Sequence, residues 1–197
     1  MKVFFLICFL LSFPLMAKDQ SLDHFLNKHW PLNKTQKKYL IQSKVLTDAE
    51  VKTNGKKQSF SLKALAYHPK RCRNVLRKLS MLNKYKDWID FIKYSHYKEK
   101  SKLFTLTADH PLLPYPMNIY ILVDRPTKTG IYPFTFPVGI FRGLKGKFHI
   151  LEINKRCFLF AQSNWTGPQT KIPNFVIEIF SETLSKLGGE ILIRKTK

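Results

Sequence analysis

The chain has 197 residues and carries 34 Lys and Arg against 13 Asp and Glu, a formal net charge of +21. This length is enough for one domain with a real core, and three cysteines are too few for a multi-disulfide scaffold. Such a charge favours anionic partners: membranes, envelope polymers or nucleic acid. Because the lysines are spread along the chain instead of gathered on one recognition element, nucleic acid is the weakest of these candidates.

The first residues have the pattern of a secretory signal peptide. Met1-Lys2 gives a short basic start, residues 3–11 are an unbroken apolar run, and Ala17 is a small residue at the expected cleavage site. The apolar run is shorter than the roughly 20 residues that a membrane-spanning helix needs. We therefore predict a signal peptide at residues 1–17 and a protein that is secreted or periplasmic after cleavage.

Residues 18–38 form a basic leader. Leu22, Phe25 and Leu26 have helical spacing there, and Pro31 ends the short helix that they predict. This helix is expected to pack against the main domain.

Two cysteines follow the predicted cleavage site, Cys72 and Cys157. In an oxidising compartment they could form a disulfide. Two separately buried thiols are equally consistent with the sequence, which does not give the distance between them.

From Tyr39 the sequence has the short β-rich runs and turn residues of an antiparallel sheet. Asn54-Gly55 between two such runs is a strong hairpin signal. Pro69 then opens a predicted helix with one apolar stripe. Later β runs begin at residues 103, 117, 130, 146 and 156, with Gly, Pro and Asn in the turns between them.

The last predicted element is a helix over residues 172–193. Its apolar positions predict a stripe that faces the sheet: Phe175, Val176, Ile179, Phe180, Leu184 and Leu187. Polar residues fall on the opposite side: Glu178, Ser181, Glu182, Ser185 and Lys186. Gly188-Gly189 is either the end of this helix or a weak point before a last turn. The order of elements predicts an α+β domain in which one long helix covers the concave face of a curved sheet.

Three stretches, in this order and spacing, resemble a known superfamily: "SFSLKALAYHPKRCRNVLRKLSMLNKYKDWI", "PYPMNIYILVDRP" and "GLKGKFHILEI … CFLFAQSNWTGPQTKIPNF". Together they resemble the START-like (helix-grip, SRPBCC) superfamily, and within it the bacterial single-domain branch near the coenzyme Q-binding and polyketide cyclase-like proteins. The resemblance spans residues 45–194 and implies a START-like ligand-binding domain at residues 39–197. It implies the helix-grip fold, a curved antiparallel sheet wrapped around a long C-terminal helix, with an apolar cavity between them for a lipid or another hydrophobic molecule.

Nine residues are candidates for ligand contacts in such a cavity: Trp88, Tyr120, Phe134, Phe136, Phe158, Phe160, Trp165, Phe175 and Ile179. Any of the aromatic residues also fits an ordinary core position, because alternating Phe on strands commonly packs a core. Trp165 and Phe175 flank the turn before the last helix, so they are the candidates for the mouth of the cavity. The glycine-rich loop at residues 136–146 fits either a mobile gate or a plain connection between strands.

The sequence has no recognisable catalytic or metal-binding motif. The six histidines have no metal-ligand spacing, and there is no nucleophile elbow or phosphate-binding glycine loop. We therefore predict no metal, no cofactor and no catalytic residue, which favours binding over catalysis.

The predicted function is that of a monomeric, exported protein that binds or transfers a lipid or another hydrophobic small molecule, with an anionic membrane or envelope surface as a further partner. Two alternatives remain open. One is a cationic module that binds nucleic acid, polysaccharide or the envelope on its outer surface. The other is a cyclase- or hydrolase-type enzyme that uses the same cavity.

Overall fold

The structure is a computed structural model that describes residues 22–111, 113 and 115–196. The predicted signal peptide lies outside these residues and stays a prediction. The described helices are α1 (Leu22–His29), α2 (Lys34–Ile41), α3 (Cys72–Leu79), α4 (Tyr85–Trp88) and α5 (Asn174–Thr196). The described strands are β1 (Leu46–Asn54), β2 (Lys57–His68), β3 (Ile92–Lys98), β4 (Leu103–Ala108), β5 (Met117–Val123), β6 (Gly130–Thr135), β7 (Lys145–Ile153) and β8 (Arg156–Pro168).

The strands form one curved antiparallel sheet in the order β1-β2-β8-β7-β6-β5-β4-β3, and the long helix α5 lies against it. The predicted hairpin joins β1 to β2, with Gly55 at φ 59°, a backbone conformation that favours glycine. The predicted α+β helix-grip fold is confirmed. The long helix runs through Gly188-Gly189 without ending there.

Side chains alternate along β8 and divide the core into two layers. Leu159 and Ala161 point toward α5, and we call this side of the sheet the α5 face. Phe158 and Phe160 point to the other side, where the N-terminal helices pack, and we call it the leader face. β8 therefore contributes alternate residues to two different clusters.

The leader contains the predicted helix α1, which packs on the leader face. Phe25 and Leu26 are buried there, and the ring of Phe25 meets that of Phe158 edge-on at 5.0 Å between centroids. The burial of these two side chains holds α1 against the middle of the sheet.

A second leader helix, α2, occupies residues that the sequence analysis gave partly to a strand beginning at Tyr39. Its start is fixed by a capping box: Gln36 N donates to Asn33 Oδ1 at 2.9 Å, and Asn33 N donates to Gln36 Oε1 at 3.0 Å. The first strand therefore begins later, at Leu46. The expectation of a strand at Tyr39 was wrong because the Asn-x-x-Gln cap outweighs the short apolar run after it.

Cys72 and Cys157 form a disulfide, the alternative that the sequence had left open. The bond joins the first residue of α3 to the beginning of β8 across a sequence separation of 85 residues, and both cysteines are buried.

The outer edge of β1 is bound by side chains of α5. Ala49 N donates to Glu182 Oε1 at 2.8 Å, and Val51 N donates to Glu178 Oε1 at 2.7 Å. Four residues of helix advance about 6 Å and two residues of strand about 6.6 Å. The carboxylates on α5 and the N–H groups on β1 therefore recur at nearly the same spacing. We call these contacts the edge ladder.

Asn174 extends the edge ladder by one more helical turn. Its Oδ1 accepts from Thr53 Oγ1 at 3.0 Å and from Gln58 Nε2 at 2.7 Å. The edge ladder thus gives partners to a sheet edge that would otherwise leave donors unpaired.

The edge ladder corrects the predicted orientation of α5. The carboxylates of Glu178 and Glu182 face the edge of the sheet instead of solvent, and Phe175 and Ile179 are 61% and 56% exposed. The apolar periodicity predicted that Phe175 and Ile179 face the sheet, because it takes no account of the backbone N–H groups of β1, which need acceptors. Val176 and Phe180 of the same predicted stripe do turn inward, where they line an apolar depression with Ile177.

Removal of the edge ladder should destabilise the protein. We expect Glu178→Ala and Glu182→Ala each to lower the free energy of unfolding by about 1–3 kcal/mol, since each leaves a part-buried N–H without its charged acceptor. The control is Glu50→Ala, since the Glu50 carboxylate pairs with exposed Lys52 on β1. This substitution should change the free energy of unfolding by less than about 0.5 kcal/mol. Urea unfolding measures all three, and equal losses in the control would contradict this role.

Two histidines meet where α1 packs on the leader face. The rings of His29 and His149 are 5.9 Å apart between centroids, and the ring of Phe25 lies beside both. Burial lowers the pKa of His149, and the charges of His29 and Lys147 lower it further. Burial also lowers the pKa of His29, as does its neighbour on α1, Lys28.

These pKa shifts predict a loss of stability in acid. The folded protein resists protonation of His149 while the unfolded chain takes up the proton near the ordinary pKa of 6.5, so stability falls as the pH drops below that value. We expect His149→Phe to reduce this pH dependence of the free energy of unfolding, measured in urea on both sides of the ordinary pKa. His96→Phe, which changes an exposed ring on β3, should keep the wild-type slope. An unchanged slope in His149→Phe would refute the assignment.

Candidate functional site

A cavity of about 150 Å³ lies between the α5 face of the sheet and the C-terminal half of α5. Strands β2, β7 and β8 form its floor, α5 forms its roof, and α3 and α4 contribute to its walls. The lining residues are Val45, Ala64, Leu65, Ala66, Leu79, Tyr85, Pro126, Phe148, Leu159, Ala161, Ser185, Gly189, Leu192, Ile193 and Thr196.

The cavity exists because small residues face one another across it. Ala64 on β2 pairs directly with Ala161 on β8, and the roof above them includes Ser185 and Gly189. At Gly189 a Cβ atom would lie 3.0 Å from a methyl of Val45, so the absence of a side chain lets α5 approach closely. The sheet and helix are thus held together with a space between them that no side chain fills.

Farther along the same two strands, the α5 face is filled by large side chains. Phe60 pairs with Trp165, and the ring of Phe141 meets that of Trp165 edge-on at 5.4 Å. Trp165 Nε1 donates to Arg142 O at 3.0 Å, which fixes the indole. The change from alanine pairs to aromatic pairs along β2 and β8 sets the limit of the cavity.

The lining has few polar groups, and most of them already make hydrogen bonds within the protein. The Tyr85 hydroxyl donates to Leu79 O at 2.9 Å, and burial raises the pKa of Tyr85 far above its ordinary value. The Thr196 hydroxyl donates to Leu192 O at 2.7 Å. Within the described part of the chain, the Ser185 hydroxyl makes no hydrogen bond, so it is the lining group most available to a ligand.

A buried histidine connects the end of β2 to the last turn of α5. His68, at the end of β2, accepts from Lys70 N at Nδ1 over 3.0 Å, which leaves the hydrogen of the neutral ring on Nε2. Nε2 lies 3.0 Å from Thr196 Oγ1 and 3.3 Å from Ile193 O. These contacts hold the last turn of α5 over the cavity.

The described residues offer neither a metal site nor a membrane-spanning helix. In that part of the chain no group of three or more His, Cys, Asp or Glu is placed to hold a metal ion. Among the helices described, none combines the length and apolar character needed to cross a membrane.

The nine predicted contact residues lie outside the lining of this cavity. Phe158 and Phe160 are fully buried on the leader face beneath α1, while their neighbours Leu159 and Ala161 line the cavity. The predicted residues alternate along β8 with those that line the cavity, because a period of two assigns neighbours to opposite faces. Tyr120 likewise lies on the face of β5 opposite that of its neighbour Ile121, which packs in the core.

Three of the predicted residues do come together, at the filled end of the α5 face. Phe134, Phe136 and Trp165 belong to one cluster, where they serve as core side chains. Phe141 and Leu144 of the connecting loop also pack into that cluster, as expected for a plain connection between strands.

The remaining three are at or near the surface, and Trp88 is half-buried against the cluster of Ile89 and Ile92. Trp88 borders a shallow depression beside the last turns of α5. Phe175 and Ile179 are exposed on the outer side of the first turns of α5. None of the three contacts the cavity.

The residues that form the cavity are small, so the aromatic residues of the sequence do not point to them. The available signal was the presence of Ala64, Ala66 and Ala161 on the buried face of their strands, together with Gly189 inside a long helix. Small buried residues on facing elements predict either a close approach or a void.

No protein-family model and no curated protein matches the chain. Solved structures do match its fold. A STAR-related lipid transfer protein from Xanthomonas axonopodis has a TM-score of 0.52 at 9% identity, with 75% of this chain and 98% of that chain covered. A START superfamily protein from Mycobacterium smegmatis has a TM-score of 0.52 at 13% identity, with 68% and 95% covered.

A third similar structure is the Zhui aromatase/cyclase from Streptomyces sp. R1128, with a TM-score of 0.53 at 10% identity and coverage of 71% of this chain and 96% of that chain. At such identities the likeness concerns the fold alone. The chain therefore has the fold of the START-like class, in which a sheet grips a long C-terminal helix.

Proposed function

We propose that this protein binds a hydrophobic small molecule in the cavity beneath α5. The observation that carries the proposal is the facing set of Ala64, Ala161 and Gly189, which leaves a space in a face that is otherwise filled by Phe60 and Trp165. An unfilled apolar space costs packing energy, so its occupation by an apolar ligand is favourable.

The volume limits the size of the ligand. An apolar cavity of about 150 Å³ in another protein accepts benzene, whereas ordinary ligand pockets have about 300–1,000 Å³. The space seen here, about 150 Å³, suits a single ring or a short part of an acyl chain. Binding of a complete lipid would require α5 to move away from the sheet.

The lining supports binding more than catalysis. Among the described lining residues Tyr85 is the only titratable side chain. Its hydroxyl already donates a hydrogen bond to Leu79 O, and its raised pKa keeps the hydroxyl neutral. General acid–base catalysis needs a group with a pKa near the working pH. Ser185 can give one hydrogen bond, which favours a ligand with a single polar group.

We also propose that the protein acts outside the cytoplasm. The N-terminal pattern of residues 1–17 supports export, and the disulfide between Cys72 and Cys157 supports an oxidising compartment. The named functions of two proteins with similar folds, lipid transfer and aromatase/cyclase, are compatible with a hydrophobic ligand.

The first test is direct recovery of the ligand. Native mass spectrometry of the purified protein, followed by extraction with organic solvent, should reveal a small apolar compound bound in a one-to-one ratio. A protein that is consistently empty and gains no thermal stability from toluene would refute the proposal.

The second test fills the cavity. We expect Ala161→Phe to weaken toluene binding by at least about tenfold, because the new ring takes the space of the ligand. The control is Asn164→Phe, on the same strand but exposed on the other face, which should bind as the wild type does. Calorimetry and the toluene-dependent shift in unfolding temperature give the two readouts. Unchanged binding in Ala161→Phe would show that toluene binds elsewhere.

A further inference from the structure

One end of the molecule exposes apolar side chains that the fold does not need there. Phe175 and Ile179 lie on successive turns of α5 and are 61% and 56% exposed, and Tyr115 in a neighbouring loop is 53% exposed. Tyr115 and Ile172 border one surface depression, and Ile172 and Phe175 border the adjoining one. We call the surface formed by Tyr115, Ile172, Phe175 and Ile179 the apolar tip.

The edge ladder is the reason why these side chains point outward. Glu178 and Glu182 turn toward β1, and Phe175 and Ile179, each three residues before one of them, lie beside them on the solvent side of α5. A polar pair at these two positions would leave the edge ladder intact. Exposed apolar clusters without such a structural need mark interaction sites.

Three cations lie beside the apolar tip. Exposed Lys171 borders both depressions. Exposed Lys56 is next to it, since Gln169 N donates to Lys56 O at 2.9 Å, and exposed Arg142 is next to Trp165, which also borders the tip. Glu178 is the one acidic residue among those that border the two depressions, and its carboxylate is directed inward to Val51 N.

We propose that the apolar tip docks on the surface of an anionic lipid bilayer. Phe175, Ile179 and Tyr115 enter the interface between headgroups and acyl chains, while Lys171 and its neighbouring cations contact the anionic headgroups. Apolar side chains ringed by lysine and arginine are the combination that binds such interfaces, and each cation near an anionic surface adds to the attraction.

The charge distribution favours a bilayer over a second copy of this chain. A tip-to-tip dimer would bring Lys171, Lys56 and Arg142 of both copies together, in a protein that already carries a net charge of +21. An anionic bilayer neutralises the same charges. Docking is also independent of the cavity, so it can hold whether or not a ligand binds beneath α5.

The test is flotation of the full chain with two kinds of vesicle, phosphatidylcholine alone and phosphatidylcholine mixed with phosphatidylglycerol. We expect binding to the anionic vesicles, weaker binding to the neutral ones, and a decrease with added salt. The double variant Phe175→Ser/Ile179→Ser should bind the anionic vesicles at least about tenfold more weakly, because two apolar side chains no longer leave water.

The matched control is Tyr39→Ser/Ile41→Ser on α2, which removes a second aromatic and aliphatic pair of comparable exposure, 48% and 58%. This variant should bind anionic vesicles as the wild type does. The N-terminal apolar segment is the same in all three proteins, so it cannot produce the difference between them.

Three results would overturn the proposal: equal binding by the two double variants, equal binding to neutral and anionic vesicles, or loss of a dimer in Phe175→Ser/Ile179→Ser on sedimentation analysis. The last result would assign the apolar tip to self-association. Toluene binding by the tip variant should stay at the wild-type level, which separates this test from that of the cavity.

Discussion

The pairing of β2 with β8 is the constraint on which the rest of the structure depends. It fixes which residues of the two central strands share a face, because a shift by one residue would exchange the faces of every side chain. In the observed register Phe158 and Phe160 lie under the leader, and Leu159 and Ala161 lie under α5. One face thereby becomes a dense aromatic layer, and the other keeps room for a ligand.

The second constraint is the unsatisfied edge of β1. An edge strand presents backbone donors that need partners, and here Glu178 and Glu182 of α5 accept from them, while Asn174 accepts from the side chain of Thr53. This requirement sets the rotation of the helix about its own axis. The exposed positions of Phe175 and Ile179 follow from that rotation, so the surface of the molecule is determined in part by a hydrogen-bonding need at the sheet.

The fold could be predicted from the sequence because its signals are local. The structure has a hairpin turn at Asn54-Gly55, and its strands begin at residues 103, 117, 130 and 156, as predicted. These features were predictable because alternation and turn residues act over a few positions. The site could not be predicted in the same way. Whether Phe160 or Ala161 faces α5 depends on pairing with a strand far away in the sequence and on the helices that cover the other face. Ala64 and Gly189 matter because they lack large side chains. Whether a small side chain leaves a cavity depends on the element that faces it, which the sequence does not identify.

The position of the disulfide has a consequence for how the chain reaches this topology. β2 and β8 are neighbours in the sheet but far apart in sequence, and the cost of closing such a loop must be met before their contacts form. Cys157 pairs with His68 in the sheet and is bonded to Cys72, only a few residues further along the chain. Once the bond exists, the two central strands are joined at one end as if by a short turn, and their pairing can proceed from that end like the closing of a hairpin. Oxidation thus makes the strand contact with the largest sequence separation in the described sheet a local one.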